Sequence, residues 1–212
     1  MITKIRTTMM EHVKKNKNTY LFLFLTFVTG VSAGAFTVNG LSTIQKTELT
    51  NYFQGFLELF KNQRVDSNEV LQISIIDNAR LVIVMWALGV TIIGIPLIYF
   101  FIGVRGFITG FTSGFIIDLM GFKGVIFTLF SIAPKEIIII PCIIALGVNG
   151  INFSLNIIRS RSIKRGNKEN LKTGFITYSI TTAFFSCFIF GGILVESYIT
   201  PVCIRIISSK VF

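Results

Sequence analysis

Arg105, Asp118, Lys135 and Glu136 are titratable residues inside or beside apolar stretches. Charges in hydrocarbon are expensive, so where they occur they mark ion pairs, proton relays or substrate contacts. Lys135 and Glu136 lie between Pro134 and Pro141. Each proline removes a backbone donor and restricts the residue before it. Interrupted helices of this kind build midplane sites in transporters. The alternative for the same residues is a position at the outer interface, where Lys135 and Glu136 would be solvated. Asp118 stands near the end of its apolar stretch, where an interfacial carboxylate costs little.

The other residues of catalytic type are sparse. His12 is the only histidine, which excludes a zinc site built from several. Cys142, Cys187 and Cys203 have no close pairing motif and read as small apolar residues. The chain carries no GxSxG, P-loop or HExxH motif. The expectation is a protein that is not an enzyme and holds no cofactor or metal.

The elements that would position these residues are long and apolar. Of 212 residues, 52% are hydrophobic, 14% are charged and 22 are Phe. A water-facing domain carries about 25% charge. The apolar residues fall into five blocks, Tyr20 to Leu41, Ala79 to Phe101, Arg105 to Met120, Gly124 to Ile158 and Thr173 to Ile199. A bilayer crossing needs about 20 residues, and a spanning helix satisfies its own backbone hydrogen bonds. The predicted fold is an all-α polytopic membrane helical bundle of about five spans, a single domain over residues 20–212 behind a basic segment 1–19. The fourth block would run about 52 Å as one helix, beyond a core of about 30 Å. Its first part, Gly124 to Ile132, is either a re-entrant half-helix turning near Pro134 or a segment at the outer surface.

Charge orients the bundle. Residues 1–19 hold Lys4, Arg6, Lys14, Lys15 and Lys17 against Glu11, and residues 159–172 hold six basic residues against Glu169. The loop 42–78 is acidic in balance. An excess of Lys and Arg marks the cytoplasmic side, which puts the N-terminus and 159–172 inside and 42–78 and the C-terminus outside. Arg105 then falls at the inner end of the third span. The net charge of +10 is accounted for by attraction to anionic lipid, not by nucleic acid. A rival reading of the N-terminus is a signal peptide with a small-residue site at Ala33-Gly34-Ala35.

Gly106, Gly110 and Gly114 are spaced by four, and Gly30 and Gly34 repeat the interval. On a helix this spacing lines one face, with a drift of about 40° per step. A face without side chains lets a second backbone approach closely. Its partner is another span, a second copy in a homo-oligomer, or another protein. Between the first two blocks, Leu49, Phe53, Phe56 and Phe60 fall at three- and four-residue intervals, which predicts an amphipathic helix. Lipid, the protein's own spans or a partner docked on Phe53, Phe56 and Phe60 would cover its apolar face.

Ala87-Leu88-Gly89-Val90-Thr91-Ile92-Ile93-Gly94-Ile95-Pro96, Gly106-Phe107-Ile108-Thr109-Gly110, Gly121-Phe122-Lys123-Gly124 and Ser131-Ile132-Ala133-Pro134 follow one another in an order that resembles the stage II sporulation protein M family. The resemblance runs over nearly the whole chain. It implies a mother-cell membrane protein at the sporulation septum, acting in engulfment with stage II sporulation proteins P and D, which are membrane-anchored peptidoglycan hydrolases. It implies a scaffold for peptidoglycan remodelling that does not itself cut the wall. A wider group of related proteins carries a Pro-His-Gly element with an acidic residue before a later proline. Pro134 and Pro141 match that spacing, but Lys135, Glu136 and Ile139 do not, so roles tied to that histidine or acid do not carry over. The alternative function is a small-molecule or lipid permease using the proline-broken region.

Overall fold

A computed structural model describes residues 14, 16–62, 67–162 and 168–211, with a few side chains near these limits left undescribed. Most of the N-terminal basic segment and residues 163–167 of the second basic stretch lie outside the described residues. Those described form seven helices and no strand: α1 (Lys17–Asn39), α2 (Thr43–Asn62), α3 (Ser67–Gly89), α4 (Gly94–Met120), α5 (Phe122–Ser131), α6 (Ala133–Ser162) and α7 (Lys168–Val211). Five are long and apolar enough to cross a membrane: α1, α3 from Val70, α4, α6 to Ser160, and α7 over Leu171–Val202. Only α6 has most of its span buried inside the protein, and the other four surround it. Their exposed Leu, Ile and Phe side chains, such as Phe22, Phe100 and Ile180, suit a lipid-facing exterior.

The second and third blocks divide elsewhere than the hydropathy suggests. The turn falls at Val90–Ile93, not between Phe101 and Arg105, and it splits the second block in the middle. Pro96 gives the reason. It sits in the first turn of α4, where a missing N–H costs nothing because no carbonyl precedes it to accept. Gly89 lies against the backbone of Gly150 in α6, with room for no side chain, so α3 ends in a close crossing. The supposed loop 42–78 therefore contains α2 and the first half of α3. The third span has 27 residues and is not short.

The glycine face finds its partner within the chain. A Cβ at Gly106 would meet Phe27, one at Gly110 would meet Val31, and one at Gly114 would meet Ala35. Gly30 and Gly34 in turn face the backbone of Gly103, Phe107 and Phe111. The contacts climb both helices together, so α1 and α4 run parallel, backbone against backbone. The segment containing Ala33-Gly34-Ala35 is thus built into the bundle, and α1 contributes Leu23 and Phe27 to the core.

The fourth block is two helices. Gly121, with φ of 58°, makes a turn that L side chains rarely adopt and sends α5 back along α4. Gly124 then lies against Ile116 and Ile117. α5 has 10 residues, about 15 Å, half of a hydrocarbon core. It does not turn back near Pro134. Ile132 N–H bonds Thr128 O at 2.9 Å, Glu136 N–H bonds Ile132 O at 3.3 Å, and Ile132 stays in the right-handed helical region. The chain bends there and runs on as α6.

α6 and α7 are antiparallel: Lys135 pairs with Glu196, Ile139 packs on Gly192, and Asn149 bonds Thr182. Asn149 also donates to Tyr178 O at 3.1 Å, and the Tyr178 hydroxyl donates to Trp86 O at 2.9 Å. Ser154 Oγ lies 2.8 Å from Gly89 O and 2.9 Å from Thr91 O and can donate to either, tying α6 to the α3–α4 turn. The buried polar side chains of Asn149 and Ser154 on α6 are thus satisfied by neighbouring helices, as a water-free interior requires. One end of the bundle holds the start of α1, the α3–α4 turn, the end of α6 and the start of α7. The other holds α2, the start of α3 and the α4–α5 turn.

Candidate functional site

The first turn of α6 carries two of four charges that pair between α4, α6 and α7. Pro134 is its second residue, where proline is accommodated, and it fixes the entry of the helix. Lys135 and Glu136 follow. Consecutive residues on a helix point about 100° apart, so the two side chains address different neighbours. Glu136 Oε1 accepts from Arg105 Nη2 of α4 at 3.1 Å, and Lys135 Nζ donates to Glu196 Oε1 of α7. Two adjacent residues therefore clamp three helices with four charges that sum to zero.

This arrangement corrects two expectations. Lys135 and Glu136 are not solvated at an interface, since Glu136 is 7% exposed and its side chain is paired. Arg105 is not at the end of a span. It lies 11 residues into α4, about 16 Å along the helix, because α4 begins at Gly94. Arg105 Nε and Glu136 Oε2 are buried without a hydrogen-bond partner among the described residues. A buried ion pair of this kind is weak evidence for stability, but removal of one partner is costly. Pro141, inside α6, lacks an N–H for the carbonyl of Ile137, so one bond of the helix ladder is missing there.

Glu196 is the member of the quartet that the sequence reading passed over. It was visible by the same rule, as a carboxylate inside the fifth apolar block. Lys46 was passed over as well. It pairs at 2.8 Å with Asp118 and fastens α2 to the end of α4. Both side chains are well exposed, so the pair orients α2 more than it stabilises it.

Beside the quartet lies a cavity of about 510 Å³ between α2, the first half of α3, α4, α5 and α7. Phe53, Phe115, Phe127 and Ile132 make its walls apolar, and Lys135 and Glu196 line it too. Ser131, which also lines it, is buried and its hydroxyl has no partner among the described residues. The volume lies within the range of small-molecule sites.

α2 closes this end. Phe53 turns inward and meets the rings of Phe115 and Phe127 edge-on at 6.3 and 5.8 Å. Leu57 is buried beside them. Phe53 is therefore occupied by the protein's own spans. Phe56 stacks on Phe53 at 6.4 Å yet stays 36% exposed, and Tyr52 is 79% exposed. The side chain of Phe60 lies outside those described. Among the described residues no cluster of His, Cys, Asp or Glu is placed to hold a metal ion. Cys142 and Cys187 are free thiols, and the side chain of Cys203 lies outside those described.

The family model described as Stage II sporulation protein M matches residues 23–201, which take in most of α1 and all or nearly all of the other four spans. No curated protein and no solved structure gives a match.

Proposed function

The chain belongs to the stage II sporulation protein M family, a sporulation-related multi-pass membrane protein, and from that membership we propose that it is a non-enzymatic scaffold for engulfment. In this role it gathers membrane-anchored wall hydrolases, stage II sporulation proteins P and D, at the septum in the mother-cell membrane. The single observation that carries the reading is the family match across the whole bundle. The geometry is compatible with it. α1 and α4 are locked backbone to backbone, and α4, α6 and α7 are clamped by charge, which suits a platform. A permease would draw on the same buried charges, but here they close into pairs, and the scaffold reading is favoured.

The orientation follows the same proposal. Lys17, Arg159 and Lys172 stand at one end of the bundle and mark it as cytoplasmic, with anionic lipid beside them. α2 is then external, on the side of the wall. Because Phe53 is used internally, Tyr52 and Phe56 are, among the described side chains, the aromatic residues of α2 that offer a docking face. Phe56→Glu should leave insertion and accumulation normal while hydrolase co-purification is lost and engulfment stalls. Normal co-purification with complete engulfment would remove α2 as the docking face.

A further inference from the structure

The corrected start of α3 brings two charged residues into a membrane span. Asp77 and Arg80 lie within Val70–Gly89. Asp77 is seven residues, about 10 Å, from Val70 and twelve residues, about 18 Å, from Gly89. Arg80 stands one turn further on. Both are exposed on the outside of the bundle, and neither has a hydrogen-bond or ion-pair partner among the described residues. This inverts the usual pattern, in which intramembrane charges face the interior and pair with one another, as Arg105, Glu136, Lys135 and Glu196 do here. The same side of α3 carries Ile76 and Ile83, which are 50% and 62% exposed, and Ile73, 62% exposed at the rim of the cavity beside α2. Positions 73, 76, 80 and 83 follow the three-four interval of a helix–helix seam. Facing lipid, Asp77 and Arg80 would have only each other, one turn apart on the same helix, and that pair would stand in hydrocarbon.

We propose that this face of α3 pairs with the same face of a second copy of this chain. The charge pattern selects that partner. In a two-fold assembly about the membrane normal, the two α3 helices run parallel, and an isologous interface brings residue i to j and j to i. Asp77 of each copy then meets Arg80 of the other, across an offset of about 4.5 Å along the axis that an arginine side chain spans. One helix turn supplies both members of both pairs. The isoleucines above and below interdigitate and exclude lipid. A different partner helix would need its own basic and acidic residues in the reverse order, whereas a second copy carries them by symmetry.

The test uses the full chain in lipid nanodiscs or native membranes, with Cys142, Cys187 and Cys203 replaced by Ser. Ile83→Cys should cross-link to itself and give a dimer band, and Ile180→Cys, on an exposed face of α7, should not. Asp77→Arg alone puts like charges together in both copies and should lower dimer association by about tenfold, the scale of the two interhelical polar contacts it removes. Arg80→Asp alone should do the same. The double exchange Asp77→Arg/Arg80→Asp should restore dimerisation, because every copy is reversed at once. Helicity and membrane insertion serve as controls, and the exposure of both side chains predicts no change in either. Absence of the Ile83→Cys dimer, failure of the double exchange to restore it, or cross-linking of α3 to a different protein in its place would overturn the proposal.

Discussion

Replacing Gly110 by alanine adds one carbon atom at one of the tightest points between α1 and α4. That carbon would lie 2.7 Å from both the Cα and the carbonyl carbon of Val31. Ordinary carbon contacts are about 3.5–4.0 Å, so the helices must part by roughly 1 Å. The obstacle is backbone, which cannot rotate aside as a side chain can. The separation would also loosen the contacts of Gly106 with Phe27, Gly114 with Ala35, and Gly34 with Phe111, since all lie along one seam. A gap of about 0.5–1 Å forfeits a quarter to a half of each dispersion contact. Overpacking costs about 1–3 kcal/mol, while alanine regains up to about 1 kcal/mol in helix propensity. The expected net for Gly110→Ala is a loss of about 1–2 kcal/mol. Gly191 provides the comparison. It lies in α7 with nothing near an added Cβ, so Gly191→Ala should be neutral or stabilising by up to about 1 kcal/mol. Reversible unfolding in mixed micelles, followed by the single tryptophan, Trp86, measures both. Gly110→Leu should be worse than Gly110→Ala. Phe107→Leu and Phe111→Leu should be milder, because those rings stack on each other outside the seam and Phe107 is partly exposed. If Gly110→Ala proves as stable as Gly191→Ala, the backbone seam is not what joins α1 to α4.

Arg105→Met strands Glu136 without its partner and should cost about 3–5 kcal/mol, whereas Arg105→Met with Glu136→Met should recover most of that loss. A thermal-melt double-mutant cycle checks this, and additive losses would mean that the pair is not coupled. Orientation is tested with single cysteines in a cysteine-free background and an impermeant thiol reagent on intact cells. Positions 48 and 52 should react and positions 161 and 168 should not, and labelling at 161 or 168 would reverse the assigned topology.

The sequence by itself determined the class of this protein, because class depends on composition and block length. Apolar runs of about 20 residues with basic flanks permit little except spanning helices. It also determined that Gly106, Gly110 and Gly114 form a packing face, since the interval of four fixes which positions share a side of a helix. It did not determine the partner of that face, because another span, a second copy or a foreign helix would select the same glycines. The tertiary structure decided for α1. Hydropathy misplaced the turn between α3 and α4 because Val90, Ile92 and Ile93 are as apolar as the helices they join. Pro96 held the information, but only as the first-turn proline of a new helix, and that reading needs the helix boundary first. The charges divided in the same way. Glu136 was legible as a charge among apolar residues, but its bond to Arg105, 31 positions earlier, was not. Linear spacing relates residues within one helix, and only packing relates residues on two. Asp77 shows the converse. The sequence placed it in a solvated loop, and the fold placed it on an unshielded span, where the same carboxylate becomes a physical problem that a second surface must solve.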